Sequence, residues 1–188
     1  MSGANERWKA LRAVEGLVDP AELDALWADL ETVKAASLIG PWRGFAFLTG
    51  HPIEKVLAAS RWHGKRFDAL DDAKPLICRA EDGSLYSDTK AGRGEASLWN
   101  IEFRGEVTAT MVYDGMPVFD HFKRVDDSTL MGVMNGKPGV VLVDGRHFYF
   151  GLERETPERE RESPERERET PDLERESPGL ERETPDRT

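Results

Sequence analysis

Gly40-Pro41-Trp42-Arg43-Gly44, running straight into Phe45-Ala46-Phe47-Leu48-Thr49-Gly50-His51-Pro52, decides how this chain is read. A tryptophan stands between two glycines at the head of an apolar, strand-like run. Glycine lets backbone and a bulky neighbour approach closely because it has no Cβ to clash. The spacing therefore predicts a strand that opens with tight packing around the indole of Trp42.

Downstream of this strand the pattern is β. Asp82-Gly83, Asp114-Gly115, Asn135-Gly136 and Asp144-Gly145 are tight-turn dipeptides between strand-like runs. The runs cover residues 76–79, 85–90, 95–103, 106–113, 116–125, 129–134, 140–143 and 146–152. With 42–48 and a short 65–67 they make about eight to ten strands, mostly joined as hairpins. This predicts a mainly β fold, a single antiparallel β-barrel or sandwich, of which the barrel is the expectation carried forward. Along 106–113, Val107, Ala109, Met111 and Tyr113 share one face, and Thr108, Thr110 and Val112 share the other. The second face is small and semi-polar. It suits either a hollow interior or an outer surface.

Upstream, residues 1–38 read as a helical segment. Asp19-Pro20 is an N-cap followed by proline at the first helical position. Leu23, Leu26, Trp27, Leu30 and Val33 then recur at helical spacing, predicting a helix over 20–36 packed on the body. Weaker helical patterns cover 6–14 and 53–60. The barrel is expected over 39–152, in two parts at about 39–80 and 90–152.

Residues 153–188 repeat Glu-Arg-Glu-Thr/Ser-Pro every seven residues, from Glu153, Glu160, Glu167, Glu174 and Glu181. A proline in every period and the lack of an apolar seam exclude a coiled coil. The composition predicts a disordered, solvated tail. The net charge of the 188 residues is -10, and 151–188 carry -6 of it. The overall charge of -10 argues against a nucleic-acid partner, which needs a basic surface, while the body itself is only mildly acidic and its charge says little about its ligand. One cysteine, Cys78, allows no internal disulfide and fits a reducing compartment. No apolar run reaches membrane-span length and the N-terminus shows no leader pattern, so the expectation is a cytoplasmic protein without stable membrane insertion, monomeric or weakly dimeric.

Several ordered motifs carry a resemblance. Ile39-Gly40-Pro41-Trp42-Arg43-Gly44-Phe45, Thr49-Gly50-His51-Pro52, Trp62-His63-Gly64-Lys65-Arg66-Phe67 and Pro75-Leu76 resemble the bacterial GXWXG-domain proteins. Gly94-Glu95-Ala96-Ser97-Leu98, Glu102-Phe103-Arg104-Gly105, 109–114 and 120–127 resemble the uncharacterised domain that follows in those proteins, and 148–154 fits its last strand. The resemblance spans roughly 20–154. It implies a calycin-like, fatty-acid-binding-protein-like barrel, closed by both parts together, and no particular chemistry. In similar barrels the Gly-x-Trp tryptophan plugs one end and packs against an arginine near the last strand. That assigns Trp42, Gly40, Gly44 and either Arg154 or Arg146 to the barrel end.

The function this implies is binding of a small hydrophobic ligand, a fatty acid or related lipid. A carboxylate head would need an interior cation or hydroxyl, and the candidates are Arg66, Arg104, Arg124, Tyr113 and Tyr149, with Arg104 ranked first. Asp120 and His121 are adjacent in a strand and face opposite sides, so one of them points inward. An inward His121 would bind a head group, act as a base or ligate a metal; an inward Asp120 would need Arg or Tyr as partner. The bland alternative is a buried, hydrogen-bonded polar group. Haem-binding barrels similar to nitrobindin also open with Gly-x-Trp-x-Gly, which makes His147 an alternative haem ligand and haem the alternative cofactor. An enzyme using the same cavity, or an interaction module filled by its own side chains, are further alternatives. No nucleophile elbow, His-Glu-x-x-His, phosphate loop or Cys-x-x-Cys is present.

Overall fold

The computed structural model describes residues 2–155. The disordered tail expected over 153–188 lies, from residue 156 on, outside the described residues. Helix α1 spans Ser2–Arg12 and α2 Pro20–Asp29, the latter capped by the Asp19 carboxylate accepting from the Ala21 N–H at 2.9 Å. The helix predicted over 20–36 stops seven residues early. Leu30 turns extended, residues Glu31–Thr32 (β1) pair with a later strand, and Ala35–Leu38 form a 3-10 turn.

The remaining strands are β2 (Gly40–Ala46), β3 (Trp62–Ala69), β4 (Asp72–Arg79), β5 (Leu85–Ser87), β6 (Ala96–Phe103), β7 (Glu106–Tyr113), β8 (Val118–Asp126), β9 (Thr129–Gly136) and β10 (Phe148–Arg154). Three short helices interrupt them: α3 (Pro52–Ala59), α4 (Thr89–Gly92) and α5 (Pro138–Val141). Of the strand expected at 140–143, Val140 and Val141 belong instead to α5, which has Pro138 at its first position, while Leu142 is extended and Val143 makes an isolated bridge with Arg146.

All pairings are antiparallel. The ladder runs β8-β7-β6-β4-β3-β2-β10-β9 and returns to β8, so eight strands form a ring, with β1 added against β8 and β5 against β4. Most joints are long; β6 and β7 match over eight residue pairs. The β4–β6 joint is brief, with Ala73 opposite Ala96 and one nearby bond from the Leu98 N–H to the Leu70 carbonyl at 2.6 Å.

Two cores follow from strand alternation. Inside the ring lie Phe67, Leu98, Ala109, Met111, Phe122, Leu130, Phe150 and Leu152. Outside it, Met131, Val133 and Tyr149 are covered by Trp8, Leu23, Leu26 and Trp27 from α1 and α2. The interior face of β7 is thus Ala109, Met111 and Tyr113, while Thr108 and Thr110 bond on the other side, to backbone and to His121.

Candidate functional site

One end of the ring is filled. Phe67, Phe122 and Phe150 form a layer of edge-to-face rings with centroids 5.9 and 6.1 Å apart. Beyond it Trp42 is 2% exposed, donates through Nε1 to the Leu38 carbonyl at 2.7 Å, and lies under the guanidinium of Arg154, 4.2 Å from the ring centroid. Arg154 also donates to the carbonyls of Ile39 and Ser37, at 2.7 and 2.9 Å. Of the two candidate arginines it is Arg154, since Arg146 pairs with Asp144.

The flanking glycines act differently from the sequence expectation. A Cβ at Gly44 would meet the Trp62 indole at 2.2 Å, and one at Gly40 would meet Arg154 Nη1 at 2.9 Å. Both make room for partners of the strand rather than for Trp42 itself. Gly40 also has φ +126°, a backbone state that favours glycine.

The other end is hollow. A cavity of about 390 Å³ lies between β3, β4, β7, β8, β9 and β10 and is ringed by α3, α4 and α5. Ligand pockets run from ~300 to ~1,000 Å³, so this one suits a small guest. Its wall is mostly apolar: Ile53, Val56 and Leu57 from α3, Val140 and Val141 from α5, and Met116, Val118, Met134, Phe148 and Phe150 from the ring. Helix α3 is held over it by a capping box. Glu54 Oε1 accepts from the Thr49 and His51 backbone N–H groups at 2.8 and 2.9 Å, and His51 Nδ1 accepts from the Ile53 N–H at 3.3 Å. His51 Nε2 lies 3.2 Å from the Val141 carbonyl, tying α3 to α5. Burial holds the His51 pKa below its usual value.

The polar end of this cavity is one cluster. Lys65 Nζ donates to Asp120 Oδ2 at 2.8 Å and to the Pro75 carbonyl at 3.3 Å. The Tyr113 hydroxyl donates to the same Asp120 oxygen at 3.3 Å. Both charged side chains are only 3% exposed. Burial first, and then the Asp120 charge, push the Tyr113 phenol well above its ordinary pKa, so it remains a donor. The Lys65 ammonium also stands 5.0 Å from the Phe150 ring centroid.

Of the residues expected to bind ligand, Asp120 and Tyr113 meet here. The other four lie elsewhere. Arg104 occupies the two-residue turn between β6 and β7 with φ 55°, so its side chain leaves the hairpin tip and pairs with Asp24 at 2.6 Å. Arg66 points outward to Asp68 at 3.0 Å. The Tyr149 hydroxyl donates to Asp24 at 2.6 Å on the outer face, where burial and that carboxylate raise its pKa. Arg124, a further candidate, pairs with Glu31.

His121 faces away from the cavity too, stacked on Phe103 at 4.0 Å. Asn135 Nδ2 donates to its Nε2 at 3.2 Å; Nδ1 then donates to Thr110 Oγ1 at 2.8 Å, and that hydroxyl donates in turn to the Thr108 carbonyl at 3.2 Å. It is a satisfied, buried polar group. His147, the alternative haem ligand, is bonded through Nδ1 to the Met134 carbonyl at 2.8 Å and stands beside Phe103 and Tyr149, not in the cavity. The cavity's own histidine, His51, has both ring nitrogens engaged. These residues do not fit an axial haem ligand. Among the described residues no group of three His, Cys, Asp or Glu side chains could hold a metal.

Lys65 was not among the expected site residues. The signal was present: in a strand, Lys65 shares a face with Phe67 and opposes Arg66, so a buried Phe67 implies an inward Lys65.

Residues 25–83 match the model of the GXWXG proteins, and residues 94–154 match a domain of unknown function (DUF4334). Among curated proteins nothing matches. The crystal structure of a protein from Thermomonospora curvata is similar, with 36% identity, a TM-score of 0.74, and coverage of 83% of this chain and 100% of that one. The first match supplies β1 to β4, and the second supplies β6 to β10; they join in the ring at β4–β6 and β2–β10. Fold, ordered motifs and likeness to the solved relative agree, and the chain belongs to the GXWXG proteins whose second domain is DUF4334.

Proposed function

We propose that this protein binds one small hydrophobic molecule of the lipid class inside the cavity, as an intracellular carrier or receptor rather than an enzyme. The observation that carries the reading is a cavity of about 390 Å³ with apolar walls and a single buried polar cluster at its inner end. An apolar guest gains about 25 cal/mol for each Å² of its surface removed from water. The polar cluster fixes which end enters first. Helices α3 and α5 stand at the mouth, and Val56 and Val140 are 57% and 56% exposed there, an apolar rim along which a guest can enter. No helix of the described residues is long and apolar enough to cross a membrane.

Native mass spectrometry of the freshly purified chain tests this, with displacement of an uncharged solvatochromic dye as a second readout. The expected result is a co-purified small apolar molecule and saturable, one-to-one dye binding. Leu57→Trp, which narrows the mouth without touching a polar group, should weaken dye binding about tenfold, roughly 1.4 kcal/mol, with the thermal midpoint unchanged. Stoichiometric dye binding that Leu57→Trp leaves untouched would place the guest elsewhere and end the proposal.

A further inference from the structure

The head group of the guest is legible from the hydrogen-bond inventory of the polar cluster, taking the apolar-ligand reading as given. We propose that the cavity selects an uncharged hydrophobe carrying a hydroxyl, an apolar alcohol, over the matching carboxylic acid.

Charge balance is the first argument. A fatty-acid carboxylate needs an unspent interior cation. The cation in this cavity is Lys65, and Asp120 already neutralises it at 2.8 Å. Besides the Tyr113 phenol, the other ionisable groups on the wall are Asp88, which caps α4 through the Ala91 N–H at 2.9 Å, the Cys78 thiol, whose pKa burial pushes up, and His51, whose pKa burial pushes down, so that thiol and imidazole are both neutral. The lining therefore sums to a negative charge. An incoming carboxylate would be desolvated against Asp120 and Asp88 with no free partner, which is the costly case for a buried ion. The arginines that would have served, Arg66 and Arg104, are committed to Asp68 and Asp24 on the outside.

Unspent valence is the second. Lys65 carries three N–H donors, and the protein takes two of them, at Asp120 and Pro75. Asp120 receives both of its donors, Lys65 and Tyr113, on Oδ2, so among the described residues Oδ1 has no donor. One donor and one acceptor are left side by side at the inner end of an apolar cavity. A hydroxyl answers both, accepting from Lys65 and donating to Asp120. A ketone answers only the first, and a carboxylate meets Oδ1 with repulsion.

Isothermal titration calorimetry of the full chain at pH 8 with 1-octanol and with octanoate decides the matter. The expected result is 1-octanol bound at least about tenfold more tightly than octanoate. Octanoate bound equally well or better overturns the head-group proposal and leaves apolar binding standing; binding of neither overturns both. Asp120→Asn removes the neutralising charge and leaves Lys65 free, so it should reverse the order, octanoate becoming the tighter guest. A folded Asp120→Asn protein that still prefers 1-octanol also overturns the proposal. Should that variant not fold, the wild-type comparison stands by itself.

Discussion

His121 shows what a histidine does when every contact favours its neutral form. Burial first, then the charges of His147 and Arg104, lower its pKa from 6.5 to about 4. Folded protein therefore refuses a proton that unfolded chain accepts. Below pH 6.5 the unfolded state binds more protons, so stability is complete above that value and is lost as pH falls towards 4. The interval is worth about 3 kcal/mol from this residue, and His51 and His147, shifted the same way, add to the slope. Urea midpoints measured from pH 7.5 down to 4.5 should fall steadily. His121→Gln, which keeps a group able to meet Thr110 and Asn135, should cost stability at pH 7 yet flatten that fall; an unchanged slope would mean the proton is taken up elsewhere. The sequence limited the choice for this residue and its neighbour to one inward and one outward side chain, and alternation alone could not choose. Asp120 lines the cavity and His121 stacks on Phe103 on the opposite side, and both are buried, so the two faces of β8 gave hydropathy no contrast to read.

At the level of elements, α2 ends on a buried cation. Lys123 on β8 is fully buried, with its Nζ donating to the Trp27 carbonyl at 3.1 Å and to Glu106, so a positive charge sits at the negative end of the helix. Lys123→Met keeps the stem and removes the charge. It should cost about 2 kcal/mol in urea unfolding and free α2 for faster amide exchange, with ligand binding unaffected because the residue faces away from the cavity. The element boundaries were legible where local chemistry is strong: Asp19-Pro20 starts α2, and alternation over 106–113 is β7. They were not legible where pairing decides. Asn135-Gly136 reads as a turn but lies within β9, paired with Phe119 and Val118, and the missing Cβ of Gly136 admits the Pro117 carbonyl. Arg104, ranked first among the ligand-binding candidates, instead forms the β6–β7 turn with Gly105. Val140 and Val141 fall in α5 rather than in a strand because Pro138 has no N–H for a ladder and Lys137 precedes it in extended geometry.

For the whole molecule, a mainly β, hairpin-joined architecture was legible because turn signals recur at hairpin spacing, whereas the choice of a closed ring over a sandwich came from the family resemblance. The cavity was not legible, because which strands stay close depends on side chains that are distant in sequence. Lys65 and Asp120 are 55 positions apart and meet only after the ring closes. The same holds at the filled end, where Trp42 on β2, the first strand of the ring in sequence, meets Arg154 at the end of β10, the last. Trp42→Ala should destabilise the fold by about 4 kcal/mol, lowering the urea midpoint and reducing the near-ultraviolet circular dichroism signal. A variant of unchanged stability that lost only its ligand would reassign the indole to the binding site.

Arg154 has a practical corollary for anyone who shortens this polypeptide. It is the last strand residue, and just after it Glu155 still holds Pro41 through its backbone N–H at 3.0 Å and His63 through its carboxylate at 2.8 Å. A stop codon placed after Glu155 spares the clasp at the sealed end; one placed three codons earlier discards it together with the latch to His63. Any tag or fusion partner at that side should be joined downstream of this point.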